Sequence, residues 1–184
     1  LAAFSLDMFA VLFGGAVALL PIYAQDILLV GPQGLGFLKA APSFGSFAMS
    51  IVNVYWPPLR NTGKKLLWAV FGFGVCMIIF GISKNFYLSV FILALSGACD
   101  NISVVIRSTI MHTLIPADMK GKVFAVNSMF IGSSNEIGEF ESGMAAKLMG
   151  VVPAVVFGGT MTLLVVIFTS FRAPKLKNLH FDEN

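Results

Sequence analysis

Charge is what this sequence lacks most. Of its 184 residues only 11% are Asp, Glu, Lys or Arg, while 57% are hydrophobic and the mean hydropathy is +0.87. A soluble domain carries about 25% charged residues, so the composition excludes a water-solvated globule and fits a chain solvated by lipid. Cysteine is nearly missing as well. Cys76 and Cys99 both lie inside apolar runs, which argues against a disulfide framework and reads as two small core residues. The two histidines are separated, His112 at the end of an apolar run and His180 in the polar tail, so no histidine pair can hold zinc within a bilayer. No HExxH, GxSxG or P-loop pattern occurs, and neither enzymatic activity, a metal nor a cofactor is expected. The first residue is Leu1, and no basic segment or small-residue cleavage site precedes the first apolar run. That start reads as a cut from a longer chain rather than as a signal peptide.

What the sequence does have is long apolar runs. About 20 such residues span the roughly 30 Å hydrocarbon core as a helix. Six runs qualify: about 4–29, 34–56, 65–83, 86–113, 119–147 and 151–171. Between them lie "GPQG" (31–34), "PPLRNTGKK" (57–65), "SKN" (83–85), "IPADMKGK" (115–122) and "MGVVP" (149–153), all turn-rich or polar. Residues 1–171 are therefore expected to form a six-helix transmembrane bundle, and 172–184 a polar cytoplasmic tail.

The few charges sort by side. If loops alternate across the membrane, Arg60, Lys64, Lys65, Lys120, Lys122, Arg172, Lys175 and Lys177 share one side, and only Lys84 and Lys147 the other. The positive-inside rule puts both ends of the segment in the cytoplasm. The basic loops are topogenic, and nucleic-acid binding is not expected.

They also sort by span. The third ("LLWAVFGFGVCMIIFGI") and sixth ("VVPAVVFGGTMTLLVVIF") carry no ionisable side chain, so the order is polar, polar, apolar, twice over. Two triplets with an odd number of spans must run in opposite senses, and three-plus-three inverted repeats are a transporter architecture. Helical spacing aligns polar or small residues on the other four spans. Span one gives Asp7, Ala10, Gly14, Ala18, Pro21 and Gln25; span two gives Lys39, Ser43, Ser46, Ser50 and Asn53 around Pro42. Span four gives Ser89, Ser96, Asp100, Ser103 and Arg107, and span five gives Asn127, Ser134, Gly138 and Glu141. Small and hydroxyl residues at this spacing also pack membrane helices without further function. Charges are different, because each one at the bilayer centre costs at least about 2.5–3.5 kcal/mol.

The stretch "NEIGEFESG" (135–143) places Glu136, Glu139 and Glu141 in this apolar setting. At 100° per residue Glu136 and Glu139 lie about 60° apart, and Glu141 about 140° from Glu136. Three roles stand open: proton binding, pairing with Lys39, or a solvated outer rim. The reading adopted turns Glu139 and Glu141 toward a cavity or Lys39.

Two elements carry a family resemblance. "RNTGKK" (60–65) resembles the cytoplasmic-loop signature Asp-Arg-x-Gly-Arg-Arg of the major facilitator superfamily, with Gly63, Lys64 and Lys65 matching. Arg60 and Asn61 depart from it, at the place of its gating acid. "IPADMKGKVFAVNSMF" (115–130) resembles the Pro-x-x-x-Arg-Gly element, with Lys120 and Gly121 in place of Arg-Gly. The longer strings "DNISVVIRSTIMHTLIPADMKGKVFAVNS" and "GSSNEIGEFESG" are similar to the enterobactin-exporter-like branch, the transmembrane secretion effectors.

The resemblance covers essentially the whole chain. It implies an all-α membrane protein, half of a twelve-helix fold, in which the six spans correspond to the C-terminal six. It implies a cavity lined by spans one and four, flanked by two and five, with three and six toward lipid. The expected function is export of a small, siderophore-like or drug-like molecule by alternating access, with proton antiport. Expected partners are the lipid bilayer (a bacterial inner membrane), an N-terminal six-helix half, the small-molecule substrate and protons. Candidate pathway residues are Asp7, Lys39, Asp100, Arg107, Glu139 and Glu141, with Asn127 and Ser103 as hydrogen-bonding residues. The competing readings are a non-transporting structural or regulatory subunit, and a channel.

Overall fold

The structure is a computed structural model that describes residues 16–56, 62–116 and 118–172, and among these every regular element is helical. The first, α1, is composite: a 3-10 turn over Ala16–Leu19, an α-turn over Leu20–Ile22 and a π-turn over Tyr23–Ile27. Five long helices follow: α2 (Gly31–Tyr55), α3 (Thr62–Ile82), α4 (Phe86–Leu114), α5 (Lys120–Met149) and α6 (Val151–Arg172).

Four of these, α2, α3, α4 and α6, are long and apolar enough to cross a membrane. Helix α5 has the length but is not apolar enough, since Glu136, Glu139 and Glu141 interrupt it. Six equivalent apolar rods, as the sequence suggests, is thus too uniform a description. In α1 the regular α-helix expected through residue 29 is broken in its described part. Pro21 lies in its first α-turn and has no N–H to continue the ladder from the 3-10 turn before it.

Several boundaries also move. The "GPQG" stretch expected as a turn forms the start of α2, with Pro32 in the first turn where its missing N–H costs nothing. Helix α3 begins at Thr62, so Gly63, Lys64 and Lys65 are its first turn rather than a loop. Helix α4 has a side-chain cap: Asn85 Oδ1 accepts from the backbone N–H groups of Tyr87 (3.0 Å) and Leu88 (3.4 Å).

Packing follows from where side chains are small. Helix α2 packs on α4, α4 on α3, α3 on α6 and α6 on α5, while α2 and α5 both reach α1. Helices α3 and α6 run antiparallel. Gly74 faces Gly159 and Leu163, and Gly81 faces Val155 and Val156. Helices α3 and α4 are antiparallel as well, Leu66, Leu67 and Val70 meeting Ile106 and Ile110 in one apolar cluster. A second cluster at the other end joins Leu20, Tyr23, Leu38, Met77, Phe80, Leu93 and Val155 from five helices. Within it Tyr23 Oη donates to the Gly81 carbonyl at 2.8 Å, and its ring lies 4.7 Å from that of Phe80.

These directions gather the starts of α3 and α5 and the ends of α2, α4 and α6 at one end of the bundle. His112 near the end of α4 meets Phe124 of α5 at 4.8 Å between ring centroids. Lys64, Lys65, Lys120 and Lys122 therefore share that end, and Lys84 and Lys147 lie at the other. The charge-free α3 is the most buried of the four apolar helices, not the most lipid-exposed. It is covered on two sides, by α4 and by α6, and only a strip including Trp68, Ile79 and Ile82 is left open.

Candidate functional site

Helix α4 presents a polar face to the interior. Ser89, Ser96, Ser103 and Arg107 are buried, Arg107 to 8% exposure, and Asp100 is half-buried at the edge of the same face. Val104, one turn past Asp100, is exposed. The spacing of these residues at three, four and seven positions is what turns them to one side. Asp100 and Arg107 stand two turns apart with opposite charge, and the guanidinium acts electrostatically on the carboxylate. In a medium of low dielectric such an attraction is far stronger than in water. Ser103 and Arg107 both interact with their surroundings.

A second polar seam joins α2 to α4. Ser46 Oγ donates to the Gly97 carbonyl at 2.8 Å, Asn53 Nδ2 to Asn101 Oδ1 at 3.0 Å, and Asn101 Nδ2 to Ser50 Oγ at 3.0 Å. The helices touch backbone to backbone here. A Cβ at Gly45 would overlap Ala94, and one at Gly97 would overlap Pro42. Small residues admit the close approach and the hydroxyl and amide groups fasten it. The serines of α2 thus serve helix assembly. Asn101 is a residue the sequence reading missed. Its signal was an amide in mid-span, but it sits 100° from Asp100 and so outside the stripe that was followed.

On α5 the predicted stripe is the inner one. Ser134, Gly138 and Ser142 are buried and Asn127 and Glu141 half-buried, while Glu136 and Glu139 are exposed. Lys39 is exposed on α2, and α2 and α5 do not pack side by side. The expected pairing of Lys39 with Glu139 or Glu141 is therefore not formed among the described residues. The helices that carry the charges are held on different sides of the bundle.

Asp7, Arg60 and Asn61 lie outside the described residues. Gly63 is buried, and Lys64 and Lys65 point outward from the first turn of α3. Lys120 is half-buried and Gly121 exposed in the first turn of α5. Cys76 and Cys99 are free, but they are not independent core residues: the two thiols hydrogen-bond to each other between α3 and α4. Among the described residues no group of three or more His, Cys, Asp or Glu gathers in a metal-binding arrangement.

A helical chain with apolar membrane-length helices and inward-turned charges is a multi-pass membrane protein, and its charged interior face is the kind a transporter needs. The family model for transmembrane secretion effectors matches residues 2–183. The chain belongs to that family, and is a transporter of the major facilitator type. No curated protein matches it.

Proposed function

We propose that this chain is the C-terminal half of a twelve-helix exporter working by alternating access, driven by proton antiport. The observation that carries the reading is Arg107, buried together with a half-buried Asp100 on one face of a membrane helix. Ionisable groups are costly at bilayer depth and face a bundle interior or a water-filled cavity when they occur. Membership of the secretion effector family supplies the direction, outward, and the kind of cargo, a small molecule. A siderophore-like or amphipathic compound suits a cavity that combines one acid, one guanidinium and hydroxyls.

The roles follow from chemistry. Asp100 and Glu141 are the protonatable groups, Arg107 is the fixed cation that an anionic substrate or the ionised Asp100 would answer, and Ser103 and Asn127 orient the cargo. Lys39 and Glu139, both exposed on the described surface, would act only where the N-terminal half covers them. The packing order, with the uncharged α3 and α6 seated against each other, supports two inverted triplets: α1 to α3, then α4 to α6. The basic end formed by Lys64, Lys65, Lys120 and Lys122 supports a cytoplasmic position for both ends of the segment and for the loop motif at Gly63, Lys64, Lys65, Lys120 and Gly121. The setting is a bacterial inner membrane.

The test is export from inverted vesicles or cells under an imposed pH gradient. Asp100→Asn and Glu141→Gln preserve shape and remove the titrating group. At least one should uncouple export from the gradient, with an activity loss of the order of 10²-fold or more, typical of general acid–base groups. Undiminished, pH-responsive export in both variants would remove these acids from the mechanism.

A further inference from the structure

Helices α3 and α6 do not stay in contact along their length. Where glycines meet, they touch: Gly159 lies against Gly74 and Ile78, and Gly81 against Val155 and Val156. Toward the basic end the facing residues become large, with Leu67, Trp68 and Phe71 on α3 and Val166 and Ile167 on α6, and the two helices part. Between them lies an open crevice of about 310 Å³. Its lining is apolar except at the mouth, where Lys64 and Ser170 stand. Trp68 and Phe71 form the wall, edge to face at 5.8 Å, and Trp68 is 72% exposed on the outer surface.

We propose that this crevice is a binding site for an anionic phospholipid. One acyl chain would lie in the wedge against Trp68, Phe71, Leu67 and Ile167. The phosphodiester would sit at the mouth, accepting hydrogen bonds from the Lys64 ammonium and the Ser170 hydroxyl. Three features commit the site to this occupant. It opens on the side of the bundle where the apolar helix α3 keeps its exposed strip, so acyl chains are what it meets. Its one formal charge is positive and at the end of the helices, at headgroup depth. An indole beside it belongs at the same interface. A crevice between membrane helices with a basic mouth has the chemistry that selects acidic headgroups. A zwitterionic lipid brings its own ammonium to Lys64 and loses that preference. The site is separate from the polar face of α4, so the inference stands whether or not the transport reading does.

The test uses Trp68 as the reporter. The intact protein is reconstituted in phosphatidylcholine vesicles containing a minor fraction of either brominated phosphatidylglycerol or brominated phosphatidylcholine. The fluorescence component that Trp68→Phe removes is followed. Brominated phosphatidylglycerol should quench it with an apparent preference of about fivefold, the size expected for one lysine meeting one acidic headgroup at a membrane surface. Lys64→Gln should bring the two lipids to parity, Lys64→Arg should keep the preference, and Lys65→Gln, at the same end but outside the crevice, should leave it unchanged. Equal quenching by both lipids in the unmodified protein overturns the proposal, as does a preference that Lys64→Gln leaves intact. Quenching by neither lipid also overturns it, since protein would then fill the crevice.

Discussion

Gly97 of α4 lies so close to Pro42 of α2 that a Cβ on the glycine would fall within the proline's backbone. Three residues earlier on α4 the relation is reversed, and Gly45 of α2 meets the backbone of Ala94. The two helices are parallel neighbours at this crossing, and Ser46 bonds across it to the Gly97 carbonyl at 2.8 Å.

The crossing predicts a sharp position dependence. Gly97→Val forces α2 and α4 apart and should destabilise the protein by about 1–3 kcal/mol or more, the usual cost of overpacking. Gly132→Ala on α5, where nothing lies within 4 Å of an added Cβ, should be neutral or slightly stabilising, since Ala is the better helix former. Thermal unfolding of the two variants side by side measures the difference.

Tyr23 ties the π-turn of α1 to α3 through its 2.8 Å bond to the Gly81 carbonyl. Tyr23→Phe should cost about 0.5–1.5 kcal/mol, one ordinary hydrogen bond. Tyr23→Ala also empties a fully buried aromatic site beside Phe80 and should cost about 3–5 kcal/mol. A similar loss for both would mean that the hydroxyl, and not the ring, holds α1 in place.

The Cys76–Cys99 contact predicts a crosslink. Treatment with copper-phenanthroline, a two-electron oxidant system, should join the thiols as a disulfide with release of two protons. Maleimide labelling after denaturation would then fall from two adducts to none, and dithiothreitol would restore both. Either Cys76→Ser or Cys99→Ser should leave one labelled thiol. Two free thiols after oxidation of the unmodified protein would place them farther apart than the structure does.

Much of this arrangement was legible in the residue order. The buried face of α4 could be read from Ser89, Ser96, Ser103 and Arg107, because helical spacing alone fixes which side chains share a side. The same holds for α5, where Ser134, Gly138 and Glu141 turn inward and Glu136 and Glu139 do not. What spacing cannot supply is the partner across the gap. Lys39 and Glu141 each looked like half of an ion pair, yet they stand on helices that do not pack together. Cys76 and Cys99 looked unrelated, yet the α3–α4 register brings them into contact. The lack of charge in α3 also said less than it seemed to. A helix with no ionisable group can be greasy because lipid surrounds it or because other helices do. Glycines that admit α4 and α6 make the second case hold over half of α3.

The central claim is that the inner polar face of α4 borders water, and thiol accessibility tests it most directly. In a Cys76→Ser, Cys99→Ser background, Val104→Cys lies beside Asp100 on this face and Ile79→Cys lies on the open strip of α3. Both are exposed in the structure, but only the first should react with a membrane-impermeant, charged thiol reagent in intact membranes, and substrate should slow it. An inert Val104→Cys, or an Ile79→Cys that reacts equally well, would contradict the account.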